Sequence, residues 1–289
     1  MKNIQKFAAF ALAAVMAFSM GACASNGTTA AASSSNASSN EAASSAASSA
    51  AESTSLDKIK ADGFVTMSTN AEFEPFEYKD GDNVVGIDVD ISKKIAEKLG
   101  VQLKINDISF DTLITELNSG KSNFVAAGMT VTDDRKKNVD FSDTYFDASQ
   151  AIIVLKGSAI KKPADLNGKK VGVQQGTTGD TYCTNEDGKS EVKVGSVERY
   201  NKGVDAVTDL INGKVDAVVI DNFPATKFAE KNSDKIEKLS DALTVEKYAI
   251  AVKKGDAALL NTINEVLSEM KSSGELDKLV NQYKDSLGG

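Results

Sequence analysis

Across residues 56–283, short apolar runs of strand type alternate with apolar positions at helical spacing. That alternation restricts the chain to an α/β fold with crossover connections. Residues 64–68 read as a strand and 77–86 as a hairpin turning at Lys79-Asp80-Gly81-Asp82. Ile87, Ile91, Ile95 and Leu99 mark an amphipathic helix with Gly100 as its stop. A strand at 101–105, a helix through Leu113, Ile114 and Leu117, and a strand at 124–127 follow. The same design returns at 205–220, where a helix, Gly213-Lys214 and a strand at 215–220 match the helix, Gly120-Lys121 and strand of 111–128. Leu117 then corresponds to Leu210, Ile114 to Val207 and Val125 to Val218. A last helix carries Leu259, Leu260, Ile263, Val266, Leu267 and Met270, and a helical pattern resumes after Gly274. About 230 residues is at the upper end for one core, so two similarly built lobes are expected.

The start of the chain addresses the compartment. Lys2 and Lys6 precede an unbroken apolar run at 7–18, too short to span a bilayer core of about 20 apolar residues. This pattern fits an export signal over 1–22. Its end, Met20-Gly21-Ala22-Cys23, resembles a bacterial lipobox, which implies lipidation of Cys23 and a protein anchored on the extracytoplasmic face of the cell membrane. Residues 23–55 are almost wholly Ala, Ser, Thr, Asn and Gly, the composition of a flexible tether with an end-to-end distance of roughly 30 Å. The net charge of −8 becomes −10 once Lys2 and Lys6 leave with the signal, a poor balance for nucleic acid. With no His and only two Cys, His-based triads, zinc sites and a disulfide framework are excluded, and no metal or cofactor is expected.

In open α/β sheets ligands sit beyond the C-terminal ends of strands. Three such ends carry unusual residues: Gly128-Met129-Thr130 leading to Arg135, Gln174-Gln175-Gly176-Thr177-Thr178-Gly179, and Asp221. Together they suit an amino-acid zwitterion. Arg135 offers a carboxylate a planar fork of donors, and a helix start at 176–179 adds backbone N–H groups. Asp221 offers the ammonium a carboxylate, with the Thr130 hydroxyl and the Gly128 carbonyl beside it. Phe73 and Phe110 stand after strands, where they can sandwich an aliphatic stem. The residues alone leave plainer readings open. Arg135 lies in Asp133-Asp134-Arg135-Lys136-Lys137, which also reads as a solvated helix face, and Asp221 stands where it can cap a helix.

Several separated motifs resemble those of polar amino-acid ABC transporter solute-binding proteins of the family 3 type. They are Asn70-Ala71-Glu72-Phe73-Glu74-Pro75-Phe76-Glu77-Tyr78, Gly86-Ile87-Asp88-Val89-Asp90, Gly128-Met129-Thr130-Val131-Thr132 with Arg135, Val139-Asp140-Phe141-Ser142, the segment 170–178, and Asp216-Ala217-Val218-Val219-Ile220-Asp221. The resemblance implies a two-lobed flytrap-like fold: an outer lobe of 56–144 plus 249–289, an inner lobe of 150–243, and hinge strands near 145–149 and 244–248. It implies a monomer, not an enzyme, that closes on a polar amino acid and delivers it to a membrane permease. Carried over motif by motif, Arg135 and the Thr178 N–H hold the carboxylate. Asp221, Gly128 and Thr130 hold the ammonium, Phe73 and Phe110 pack on the side chain, and Asn70 and Gln174 meet its end. A few proteins resembling this family are cyclohexadienyl dehydratases, acting on prephenate or arogenate, and that enzyme is the alternative. A sensor input domain would need a membrane span and a signalling module beyond residue 289.

The ligand's side chain is harder to read. Asn70 and Gln174 are neutral and suit glutamine or another uncharged polar ligand such as cystine. Glu72, Glu74 and Glu77 read as an acidic rim that attracts cations. The segment 172–178 with Gln150 also resembles that of arginine- and lysine-binding members, and the reading leans to a cationic amino acid.

Overall fold

The computed structural model describes residues 54–285. The signal, Cys23 and the Ala/Ser-rich stretch up to residue 53 lie outside the described residues. The folded chain begins one to two residues before the expected end of the tether. Thr54 and Asp57 form a reciprocal capping box, and the helix Ser55–Asp62 starts there. Among the described residues no helix is long and apolar enough to cross a membrane.

Two five-stranded sheets carry the fold. In the first, Gln102–Asp107, Phe64–Thr69 and Phe124–Val125 run parallel, Ala251–Lys253 lies antiparallel to them, and Val139–Phe141 beyond it returns to their direction. In the second, Ser196–Tyr200, Lys170–Gln174 and Ala217–Asp221 run parallel, Gln150–Leu155 lies antiparallel to them, and Ile236–Lys238 beyond it returns to their direction. The order and sense of the strands are the same in both sheets. Val125 and Val218, matched in the sequence, both lie on the third strand in this order. The chain is thus two lobes of one design.

Gln150–Leu155 and Ala217–Asp221, inside the second sheet, are near-continuous apolar runs because both faces are covered. Ile152, Val154, Val171, Val173 and Val219 point into one apolar cluster, and Ala151, Ile153, Val218 and Ile220 into another on the opposite face. In the first lobe, Ile87–Leu99 buries Ile87, Ile91 and Ile95 against the sheet and against the helix Ala257–Ser272, ending at Gly100 in the left-handed conformation that its missing Cβ permits. The chain crosses between the sheets twice, and the two crossings pair as antiparallel strands Phe146–Ala148 and Glu246–Tyr248. Each crossing leads directly into an antiparallel strand of a sheet, Gln150–Leu155 or Ala251–Lys253.

Some expected bounds shift. The strand at 124–127 is only Phe124–Val125, and the strand at 215–220 is Ala217–Asp221, which carries Asp221 as its last residue. The short strands Glu72–Phe73, Ser196–Tyr200 and Ile236–Lys238 have too few apolar residues to be visible without their partners.

Candidate functional site

The ends of the parallel strands of both sheets converge on one cavity. It is a narrow space lined by Asn70, Phe73, Glu77, Phe110, Gly128, Thr130, Arg135, Gln174, Thr177, Thr178 and Asp221. All nine residues singled out in the sequence for a ligand therefore line a single space. Glu77 and Thr177 join them.

Arg135 does not lie on a solvated face. It sits in the four-residue helix Asp133–Lys136, capped by the Thr132 hydroxyl, which accepts from the Arg135 N–H. Its guanidinium turns inward, donating to the Thr130 carbonyl at 2.7 Å and, across the lobes, to the Gly176 carbonyl at 3.0 Å. The Phe110 ring centroid is 5.3 Å from the guanidinium carbon, within cation–π range. Gly128 holds φ +50°, and a Cβ there would fall 2.6 Å from the Phe73 ring, so only glycine lets the backbone pass this close to the aromatic wall. The Gly128 N–H donates to Asp88 at 2.8 Å. Thr178 opens the helix Thr178–Thr184, behind the capping hydroxyl of Thr177.

Asp221 occupies the N-cap position of Asn222–Lys231, yet its side chain makes no capping bond. It is 5% exposed and accepts instead from the hydroxyl of Tyr248 on the crossing strand. Burial, with the nearby charge of Glu246, pushes its carboxyl up to about 7. An acid held so far from water is poised to take a positive group.

Asn70 and Gln174 do not stand free to meet a ligand's side chain. The Gln174 amide donates to the Asn70 carbonyl oxygen at 2.9 Å across the lobes and to the Asn201 carbonyl at 3.3 Å. Asn70 donates to the Ile108 carbonyl at 2.8 Å. Three of their four N–H donors are thus committed within the protein, while the Gln174 carbonyl oxygen keeps its accepting capacity.

The sequence reading placed Glu77 on an acidic rim, and the structure corrects this. Glu77 is 1% exposed in the cavity wall, where its carboxyl group meets that of Asp88 and no basic side chain. Burial first, then the neighbouring Asp88, raises its carboxyl well above the usual range. Asp88 accepts from Gly128 N–H and Tyr145 Oη, both at 2.8 Å, and burial pushes it up to about 6. The pairing of Glu72–Phe73 with Glu77–Asp80 decides this: Glu77 lies opposite Phe73 and so faces the same side, a register the sequence did not show. Glu72 and Glu74 do lie on the rim, but each is ion-paired with a lysine of the other lobe, Glu72 with Lys202 and Glu74 with Lys231 at 2.7 Å. Glu246, buried on the crossing strand behind the cavity, was also missed.

The cavity thus has a guanidinium and backbone N–H groups at one end, Asp221 facing them, aromatic rings on its walls, and a buried acidic pair beyond. Comparison with known proteins places the whole chain among relatives. Residues 65–286 match the bacterial extracellular solute-binding proteins, family 3. An arginine-binding extracellular protein of Bacillus subtilis is 37% identical over 220 residues, covering 75% of this chain and 84% of its own. An ABC transporter glutamine-binding protein of the same organism is 32% identical over 289 residues, covering 98% and 97%. The holo structure of an arginine-binding protein from T. maritima superposes with a TM-score of 0.69 at 46% identity, covering 74% of this chain and 93% of that one.

Proposed function

The chain belongs to the bacterial extracellular solute-binding proteins of family 3, and we propose that it is the amino-acid-binding component of an ABC importer, taking a cationic amino acid of the arginine type. It is a binding protein, not an enzyme; its close relatives are binding proteins. The observation that carries the choice of ligand is Glu77, a carboxyl group buried in the cavity wall beside Asp88 and with no basic partner. Ionised, such a group is costly unless a cation meets it. Glu77, Asp88, Asp221 and Glu246 outnumber the single guanidinium of Arg135 around this space. An amino acid with a cationic side chain adds two positive groups and one negative, whereas glutamine brings Glu77 hydrogen-bond donors but no counter-charge. Arg135 and the Thr178 N–H receive the carboxylate. Asp221, the Gly128 carbonyl and Thr130 receive the ammonium, and the Phe73 and Phe110 rings pack on the stem. The lobes close on the ligand, bending at 145–149 and 244–248, and the closed form engages the permease.

Calorimetry against the twenty amino acids tests this reading, with arginine expected to bind at least tenfold more tightly than glutamine. The ligand's ammonium favours ionised Asp221, so a group near pH 7 when empty titrates lower when occupied. Binding then releases protons, and affinity falls as pH drops through 7, by up to about tenfold per pH unit per proton released. A preference for glutamine, or affinity unchanged between about pH 6 and 8, counts against it.

The protein is held to the membrane by lipid on Cys23. Two acyl chains anchor stably where one does not. Cys23→Ala is therefore expected to move the protein from the membrane pellet to the soluble fraction. A variant that still pellets with membranes shows that the anchor lies elsewhere.

A further inference from the structure

Glu246 stands behind the cavity wall, on the crossing strand Glu246–Tyr248. Its carboxylate gathers donors from both lobes and from the crossing itself. One oxygen accepts from Thr130 Oγ1 at 2.6 Å, from Thr178 Oγ1 at 2.9 Å and, more distantly, from Gln150 Nε2 at 3.4 Å. The other accepts from Thr244 Oγ1 at 2.7 Å. Thr130 and Thr178 line the cavity, and Glu246 does not.

A hydroxyl has one proton, and a carboxylate only accepts. With its proton given to Glu246, the Thr130 hydroxyl shows the cavity only lone pairs. The Gly128 carbonyl and Asp221, the other two groups proposed to face the ligand's α-substituent, are acceptors as well. We infer that Glu246 is a positioning residue that makes Thr130 an obligate acceptor, so that the cavity demands three protons at the ligand's α-carbon and thereby selects an ammonium over a hydroxyl. The inference rests on the reading of this cavity as an amino-acid site. An ammonium has three protons and serves all three acceptors. A hydroxyl has one, and leaves two of the three without a proton from the ligand, Asp221 keeping only what Tyr248 gives it.

The test compares L-arginine with its 2-hydroxy analogue, and L-glutamine with its own, on the wild-type protein and on two variants. The wild type is expected to favour the amino acid by at least a hundredfold. Glu246→Ala frees the Thr130 proton to turn toward the ligand's oxygen, and the ratio narrows about tenfold or more. Glu246→Gln keeps a carbonyl oxygen where three donors converge, and its ratio stays within about threefold of wild type. Should Glu246→Ala not fold, Thr130→Val removes the other end of the same bond and narrows the ratio equally. If Glu246→Ala weakens the amino acid and its hydroxy analogue by the same factor, Glu246 is only a structural brace and the inference falls. It falls too if the wild type binds both analogues alike. If only the glutamine pair shows the discrimination and its loss, the inference is supported while the cationic reading of the ligand is overturned.

Discussion

Arg135→Ala is expected to weaken binding of the amino-acid ligand by about 2–5 kcal/mol, roughly 30-fold to several thousandfold, without unfolding the protein. The loss is large because the ligand's carboxylate would be left in a closed cavity without its fork of donors, and an unpaired buried charge retains its full desolvation cost. The fold survives because Arg135 belongs to a four-residue helix and packs in none of the apolar clusters; its bonds go to the carbonyls of Thr130 and Gly176. Arg135→Lys is expected to recover little, since one ammonium cannot reproduce a bidentate planar pair. Calorimetry alongside circular dichroism checks the pair of variants. Near-wild-type affinity in Arg135→Ala would return that residue to the role of a surface charge.

Glu77→Gln is expected to act in opposite directions on binding and on stability. Affinity for arginine drops by a similar 2–5 kcal/mol, because the ligand's guanidinium loses its counter-charge in a buried wall. Affinity for glutamine changes far less, so the preference between the two narrows or reverses. The empty protein, in contrast, is stabilised. The Glu77 carboxyl in the folded state sits well above its ordinary range. Such a group contributes stability below its unfolded pKa, and that contribution is lost as pH rises toward the folded value. Wild type should therefore lose melting temperature relative to Glu77→Gln between about pH 4 and 8, with the gap widening as pH rises. Thermal melts of both proteins without ligand, followed by titration with each amino acid, measure the two effects separately. A variant that binds arginine within threefold of wild type would remove Glu77 from ligand choice.

The two outcomes mark a trade. A carboxyl group buried without a basic partner would weaken the empty protein and strengthen the form that holds a cation, the kind of differential interaction by which a ligand shifts an equilibrium between two forms. The rim pairs Glu72 with Lys202 and Glu74 with Lys231 join the lobes as well, but they are solvent-facing and contribute little.

Much of the fold was legible in the chain alone. The period-four spacing of Ile87, Ile91, Ile95 and Leu99 gave the helix and its stop at Gly100, and the paired segments at 111–128 and 205–220 proved to hold equivalent places in two sheets of the same order. These features are local: a helix declares itself within a dozen residues, and a buried parallel strand is apolar whichever neighbours it meets. That Gly128, Thr130, Arg135, Thr178 and Asp221 line one cavity was also legible, because all follow strand ends in recognisable short motifs. What the sequence could not supply was which acid faces water and which faces the ligand. Glu72, Glu74 and Glu77 lie within six residues of one another, and only the hairpin register and the approach of the second lobe bury Glu77 while pairing the other two with lysines. Likewise Asn70 and Gln174 look like free amides until the lobes come together and each answers the other. Glu246, more than a hundred residues from Thr130, gains its meaning only where the crossing strands meet the cavity. Motif, period and composition are properties of neighbours in the chain; charge burial and hydrogen-bond commitment are properties of neighbours in space, and those were decided by the tertiary structure.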